Sequence, residues 1–249
     1  MLIFDFDGVM INSIDEVTLT AFNTVTDCLH ASLDALPAHL TDLFKRNRFH
    51  VQPAGDQPLL MKWCLEHYRT CQDKILTPAE YQTILNEADV PLRDRTTLFY
   101  HKRRQLIIAD EAAWLSIHQP YQPLWSALVK KGGHRIVILT NKDKDPLRRL
   151  CLHHHLDLPA ENIYSGDDGA TKVNNFKKIH SRFGCNNYNY IDDSLKNLQE
   201  LERTFDKELG RFSPMLAAWG YIGPDSIAQA RALGYRVCWQ KDIIRHLKY

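Results

Sequence analysis

The first eight residues, Met1-Leu2-Ile3-Phe4-Asp5-Phe6-Asp7-Gly8, decide how the rest of the chain is read. An apolar run meets two aspartates spaced Asp-x-Asp, and a glycine follows. Read as a strand, the run alternates its side chains and leaves Asp5 at its carboxyl end. In open α/β sheets that edge is where ligands bind. Gly8 lets the backbone turn sharply just after the acids. Two carboxylates about 4 Å apart, at an effective dielectric of about 20, repel by roughly 4 kcal/mol. Either one pKa rises or a cation sits between them. Alone, the motif reads equally well as a solvated acidic turn, so the remaining sequence has to decide.

The chain has 249 residues, 44% of them hydrophobic and 24% charged, which suits one large folded domain or two modest ones. The formal net charge of +1 gives no global basic field, so no nucleic-acid partner is expected. No run of about 18 apolar residues is present, so no membrane span is expected. With an acidic strand end already at residue 5, no signal peptide is expected. The six cysteines are scattered and form no Cys-x-x-Cys, as expected for reduced, mostly buried thiols in a cytoplasmic protein.

After Ser13 the period changes. Val17, Leu19, Ala21, Phe22, Val25, Cys28 and Leu29 recur at helical spacing. Further helices are expected over 57–68 and 96–118. Another should start at Thr77-Pro78-Ala79-Glu80, a capping box with proline at the first helical position. No strand is expected between Ser13 and His118. The second half alternates. Helix 124–130 ends at Gly132-Gly133, and a β-branched run at 135–139 has the character of a buried parallel strand. Strands at 162–165, 188–191, 215–219 and 236–239 are interleaved with helices at 146–155, 172–183, 194–209 and 225–233. Gly166-Asp167-Asp168-Gly169 reads as a loop. The fold expected is α/β: a Rossmann-like parallel sheet core with an inserted all-helical domain. Residues 1–13 and 119–249 form the core, and 14–118 the insertion.

Three strands therefore end in residues suited to chemistry: Asp5 and Asp7, then Thr140 and Asn141, then Asp192 and Asp193. In a parallel sheet these ends share one edge. That many carboxylates need a divalent cation to coexist, and an all-oxygen site fits Mg²⁺. A hard cation among acids, with a hydroxyl and backbone N–H groups nearby, suits a phosphoryl group. Lys172, opening a helix after the 166–169 loop, supplies the balancing charge. Lys177 and Lys178 lie one to two turns further on, and Lys172 is favoured for its place at the loop edge.

The order Asp5-Phe6-Asp7-Gly8-Val9, Leu139-Thr140-Asn141, Lys172 and Asp192-Asp193 resembles the four motifs of the haloacid dehalogenase (HAD) superfamily. The insertion point after the first motif resembles that of a helical C1-type cap. Tyr121-Gln122-Pro123-Leu124 and Trp219-Gly220-Tyr221 are similar to the phosphoglycolate phosphatase-like branch. The resemblance implies a Mg²⁺-dependent phosphatase acting on a small phosphorylated metabolite. Asp5 is then the nucleophile that forms an aspartyl-phosphate, and Asp7 the general acid and base. Thr140, Asn141 and the Gly8 turn bind the phosphoryl group, Lys172 neutralises it, and Asp5, Asp7, Asp193 and Asp192 hold the metal. The inserted cap is expected to open and close by rotation near residues 13–15 and 118–121. Alternatives are a sugar phosphomutase of the same superfamily and a non-catalytic phosphate-binding protein that keeps the fold.

One departure from the family pattern concerns the fourth motif, Asp192-Asp193-Ser194-Leu195-Lys196-Asn197. Asn197 stands where a later acid is common, which leaves the division of metal roles between Asp192 and Asp193 open. Among other signals, His153-His154-His155 reads as a solvated helix end. The basic clusters at 45–48 and 101–104 read as solvated helix faces, and Trp63, Trp114 and Trp125 as core.

Overall fold

The computed structural model of the chain describes residues 1–167, 170–205 and 211–247. It opens with β1 (Leu2–Phe4) and β2 (Ile11–Asn12). Helices α1 (Ile14–Thr26), α2 (Ala38–Asn47), α3 (Gln57–His67), α4 (Pro78–Asn86), α5 (Leu92–Ala109) and α6 (Glu111–Ser116) follow. The chain then runs through β3 (Gln119–Pro120), α7 (Leu124–Lys131), β4 (Val137–Leu139), α8 (Lys144–His153), β5 (Ile163–Tyr164) and α9 (Lys172–Phe183). It closes with β6 (Asn187–Asp192), α10 (Leu195–Phe205), β7 (Arg211–Ala217), α11 (Ser226–Ala232), β8 (Arg236–Cys238) and α12 (Gln240–Leu247). Two compact units result: Met1–Asn12 with Gln119–Tyr249, and Ser13–His118.

The first unit is built on a sheet of order β5-β4-β1-β6-β7-β8, and every pairing in it is parallel. Ile3, Phe4 and β4 are buried because strands with helices on both faces have no solvated side. β1 lies between β4 and β6. Phe4 pairs with Ile138 on one side and Ile191 on the other. This register brings Asp5 level with the end of β4 and with Asp192. Away from that edge, Ile3, Leu139, Phe176, Tyr188, Leu198 and Leu216 share one apolar core.

The second unit is helical, and among its described residues no strand occurs. Val17, Leu40, Phe44, Leu60, Met61 and Phe99 close its core. The capping box at Thr77 forms as the sequence suggests: the hydroxyl accepts from Glu80 N at 3.2 Å, and Glu80 Oε2 accepts from Thr77 N at 2.7 Å. An ion pair is buried inside. Arg103 donates twice to Glu16, at 2.7 and 2.9 Å, Thr20 donates to the same carboxylate at 2.7 Å, and His118 Nε2 lies 3.8 Å away.

Several expectations are corrected. The single helix at 96–118 is two, because Asp110 takes an extended conformation and its side chain accepts from Ala113 N at 2.9 Å, capping α6. The basic cluster at 101–104 is not a solvated face throughout: Lys102 and Arg103 are buried, pairing with Asp27 and Glu16. β7 begins at Arg211 rather than at 215 because Pro214 does not end it. Pro214 faces Tyr190 of β6, while pairing with β8 starts only at Met215, so the missing N–H costs no ladder bond to β8. β4 begins at Val137 rather than at 135, since Gly133–Arg135 forms a 3-10 turn. Helix α12 and the two-residue β2–β3 pair went unread. Asp168, Gly169 and the end of the expected 194–209 helix lie outside the described residues. Among those described, no helix is long and apolar enough to cross a membrane.

Removing one partner of a buried pair leaves an uncompensated charge. Arg103→Met is expected to lower unfolding stability by about 3–5 kcal/mol in urea denaturation. A loss under about 1 kcal/mol would show that Glu16 needs no buried partner.

Candidate active site

At the carboxyl edge of the sheet, β1, β4, β6 and the start of α9 deliver their polar residues to one place. Asp5 N donates to Ile191 O at 2.8 Å, and Thr140 N to Tyr164 O at 2.9 Å, so both strand ends stay locked as the chain leaves the sheet. Asp5 is 7% exposed, Asp193 8% and Asp192 0%. One oxygen from each of these three lies within 4.8 Å of the others.

Lys172 is the first residue of α9, whose cap Thr171 accepts from Asn174 N. Its buried ammonium lies 3.1 Å from Asp5 Oδ1 and 2.7 Å from Asp192 Oδ2, and it donates to the Tyr190 hydroxyl at 2.8 Å. Lys177 and Lys178 are exposed, and the latter donates to Asn175. Of these three lysines, Lys172 is the one brought into the acidic cluster.

Asp192 is engaged through both of its oxygens. Its Oδ1 accepts from Ser194 N at 2.8 Å, and its Oδ2 from Lys172, from Asn197 Nδ2 at 3.0 Å and from the Tyr190 hydroxyl. Asn197 thus supports Asp192 with an amide where a further acid would have repelled it. Asp193 is cradled by backbone instead. Its Oδ2 accepts from Tyr221 N at 2.6 Å. A Cβ on Gly8, whose φ is +81°, would lie 2.0 Å from that oxygen, and a Cβ on Gly220 would lie 2.4 Å from Asp193 Cβ. Only glycine permits this approach, and at Gly8 only glycine adopts the backbone without strain.

Thr140 is buried, and its hydroxyl accepts from Lys142 N at 3.2 Å; Asn141 is half-buried. Asp7 lies on the turn after β1, half-buried. The buried ammonium of Lys142 reaches both its oxygens, at 3.2 and 3.3 Å. Neither Lys142, next to Asn141, nor Tyr190, within the expected strand 188–191, carries a role in the sequence analysis. Tyr190 lies two residues before Asp192, and so on the same face of β6, a signal that was legible.

Burial pushes the Asp5 carboxyl up to about 7; Lys172 opposes this, while Asp192 and Asp7 add to it. For Lys172, burial alone would lower the ammonium, but Asp192 and Asp5 more than offset it and hold the pKa above its ordinary value. Burial also raises the Tyr190 phenol, with Asp192 next in effect, so the phenol stays a donor. Asp5, Asp7, Asp192 and Asp193 together face Lys142 and Lys172. Among the described pairings the formal excess is two negative charges, which one divalent cation would balance. Asp5 Oδ1 is buried without a well-directed hydrogen bond. Hard, anionic oxygens of this kind fit Mg²⁺.

Between pH 3.8, the ordinary Asp value, and about 7 the folded protein holds more protons at Asp5 than the unfolded chain does. The Asp5 contribution to stability therefore falls as pH rises through that window. In chelator, the stability of Asp5→Asn relative to wild type should grow in the variant's favour from pH 4 to 7 and level off above. A pH-independent difference in urea midpoints would show that Asp5 titrates normally.

No protein-family model matches the sequence, and neither does any curated protein. Solved structures do match in fold. The crystal structure of a predicted phosphoglycolate phosphatase from Haemophilus somnus is 15% identical, with a TM-score of 0.60, over 98% of this chain and 96% of that one. A predicted phosphatase from Clostridium acetobutylicum is 16% identical, with a TM-score of 0.55, over 99% and 96%. A conserved haloacid dehalogenase-like protein of unknown function from Agrobacterium tumefaciens is 14% identical, with a TM-score of 0.51, over 95% and 90%. At such identities the likeness is one of architecture, and by architecture this chain has the haloacid dehalogenase-like fold.

Proposed function

We propose that the chain is a Mg²⁺-dependent phosphatase that hydrolyses a small phosphate monoester through an aspartyl-phosphate on Asp5. The observation that carries this reading is the register of β1 between β4 and β6, which sets a buried carboxylate beside Lys172 and two further acids. The names of two matched structures, a predicted phosphatase and a predicted phosphoglycolate phosphatase, agree with it.

In the first half of the reaction an Asp5 oxygen attacks phosphorus, the ester P–O bond breaks, and Asp7 gives a proton to the leaving oxygen. In the second half, water gives a proton to Asp7 and attacks phosphorus, and the Asp5–phosphorus bond breaks to release phosphate. Lys172 balances the phosphoryl charge and favours the ionised form of Asp5 against the effect of burial, while Asp192 and Tyr190 hold Lys172 in place. Thr140 and the Asn141 N–H are the phosphoryl-binding groups. Mg²⁺, held by Asp5, Asp193, the Asp7 carbonyl and, in a lesser role, Asp192, would lower the charge that nucleophile and phosphoryl group present to each other. Residues 14–118 are proposed to act as the cap that selects the substrate.

The test is phosphate release from an aryl phosphate and a panel of phosphorylated metabolites, with Mg²⁺ and with chelator. Wild type should release phosphate only with the metal, and Asp5→Asn should lose activity by about 10³-fold or more. Metal-independent release, or an active Asp5→Asn, would sink the mechanism.

A further inference from the structure

Two lysines enter the acidic cluster, and they divide it. Lys172 serves Asp5 and Asp192. Lys142 serves Asp7, approaching its two oxygens almost symmetrically at 3.2 and 3.3 Å. The placement of Lys142 is set by the scaffold. Its N–H donates to the Thr140 hydroxyl at 3.2 Å, and its carbonyl accepts from Gly166 N at 3.4 Å. The Gly166 segment passes so close that a Cβ there would lie 2.5 Å from Asn141 O. The Lys142 side chain is 0% exposed, against 22% for Asp7. A fixed ammonium therefore faces a carboxylate carried on a turn.

We propose, resting on the phosphatase reading above, that Lys142 is the positioning residue for Asp7 in the second half of the reaction, the hydrolysis of the aspartyl-phosphate. In that half Asp7 starts as a carboxylate and has to be aimed at water. An ammonium spanning both oxygens restrains the rotation of the carboxyl group. Lys142 touches neither water nor phosphorus in this role; it acts through Asp7.

Dinitrophenyl phosphate separates the two halves. Its leaving group needs no proton, so the first half runs without Asp7 and only the second requires it. In stopped-flow mixing with Mg²⁺, Lys142→Met should release one equivalent of dinitrophenolate per site at close to the wild-type rate. Its steady state should then be slower than wild type by about 10- to 100-fold, part of the roughly 10²- to 10⁴-fold that a general base contributes. Asp7→Asn should show the same pattern, and Lys142→Met added to Asp7→Asn should slow the steady state no further. Should Lys142→Met fail to fold, Lys142→Gln carries the same test. Equal slowing of burst and steady state, or additive losses in the double variant, would overturn the positioning role and leave the phosphatase reading standing. A wild type that releases no dinitrophenolate would overturn that reading, and this proposal with it.

Discussion

The crowding of carboxylates at one sheet edge is the constraint on which the rest of this site depends. Asp5, Asp192 and Asp193 are nearly or fully buried and within reach of one another, an arrangement that costs several kcal/mol unless opposite charge is supplied. The fold supplies it from two directions. Lys172 comes from the first turn of a helix and Lys142 from just beyond a strand end, both buried. Around them, neutral donors do the finer work. Tyr190, Asn197, Ser194 N and Tyr221 N each give a hydrogen bond to an acid without adding charge. The remaining excess of negative charge is what a divalent cation would meet.

Burial of charge recurs in the helical unit with a different outcome. Glu16 and Arg103 neutralise each other completely, and Thr20 takes up a further lone pair. Nothing in that arrangement asks for a ligand. The contrast shows why a buried acid alone is a poor sign of function. What distinguishes the sheet edge is that, among the described pairings, four acids face two lysines.

Much of this was legible in the sequence because parallel strands translate chain order into spatial order. Once Leu2–Phe4 and the β-branched run before Thr140 are read as buried strands, Asp5, Thr140 and Asp192 must share an edge, and the helix opened by Lys172 must start there. Less local features were hidden. Asp110 interrupts a helical pattern without breaking its periodicity, so two helices read as one. The start of β7 at Arg211 was hidden too, because the tolerance of Pro214 within it depends on where β8 begins, which no local pattern encodes. Lys142 was in plain view, but a lysine after a strand looks the same whether it faces solvent or a carboxylate; only three-dimensional placement tells them apart. Tyr190 could have been found by following the two-residue period back from Asp192.

The central position of β1 also bears on how the molecule forms. β1 is the first strand of the chain, yet its neighbours begin at residues 137 and 187. Its pairings are therefore among the longest-range contacts the chain makes, and such contacts carry a large loop-closure cost and fold slowly. The helical unit, with its mostly nearby contacts, emerges from the ribosome earlier and can fold while β1 still waits for partners. During that interval the apolar run that carries the nucleophile candidate is an unpaired strand, and thus exposed to association with other chains. Putting the acids on the central strand gives the candidate site a rigid seat, and it leaves that strand unpaired until residues 137 and then 187 onward have been made.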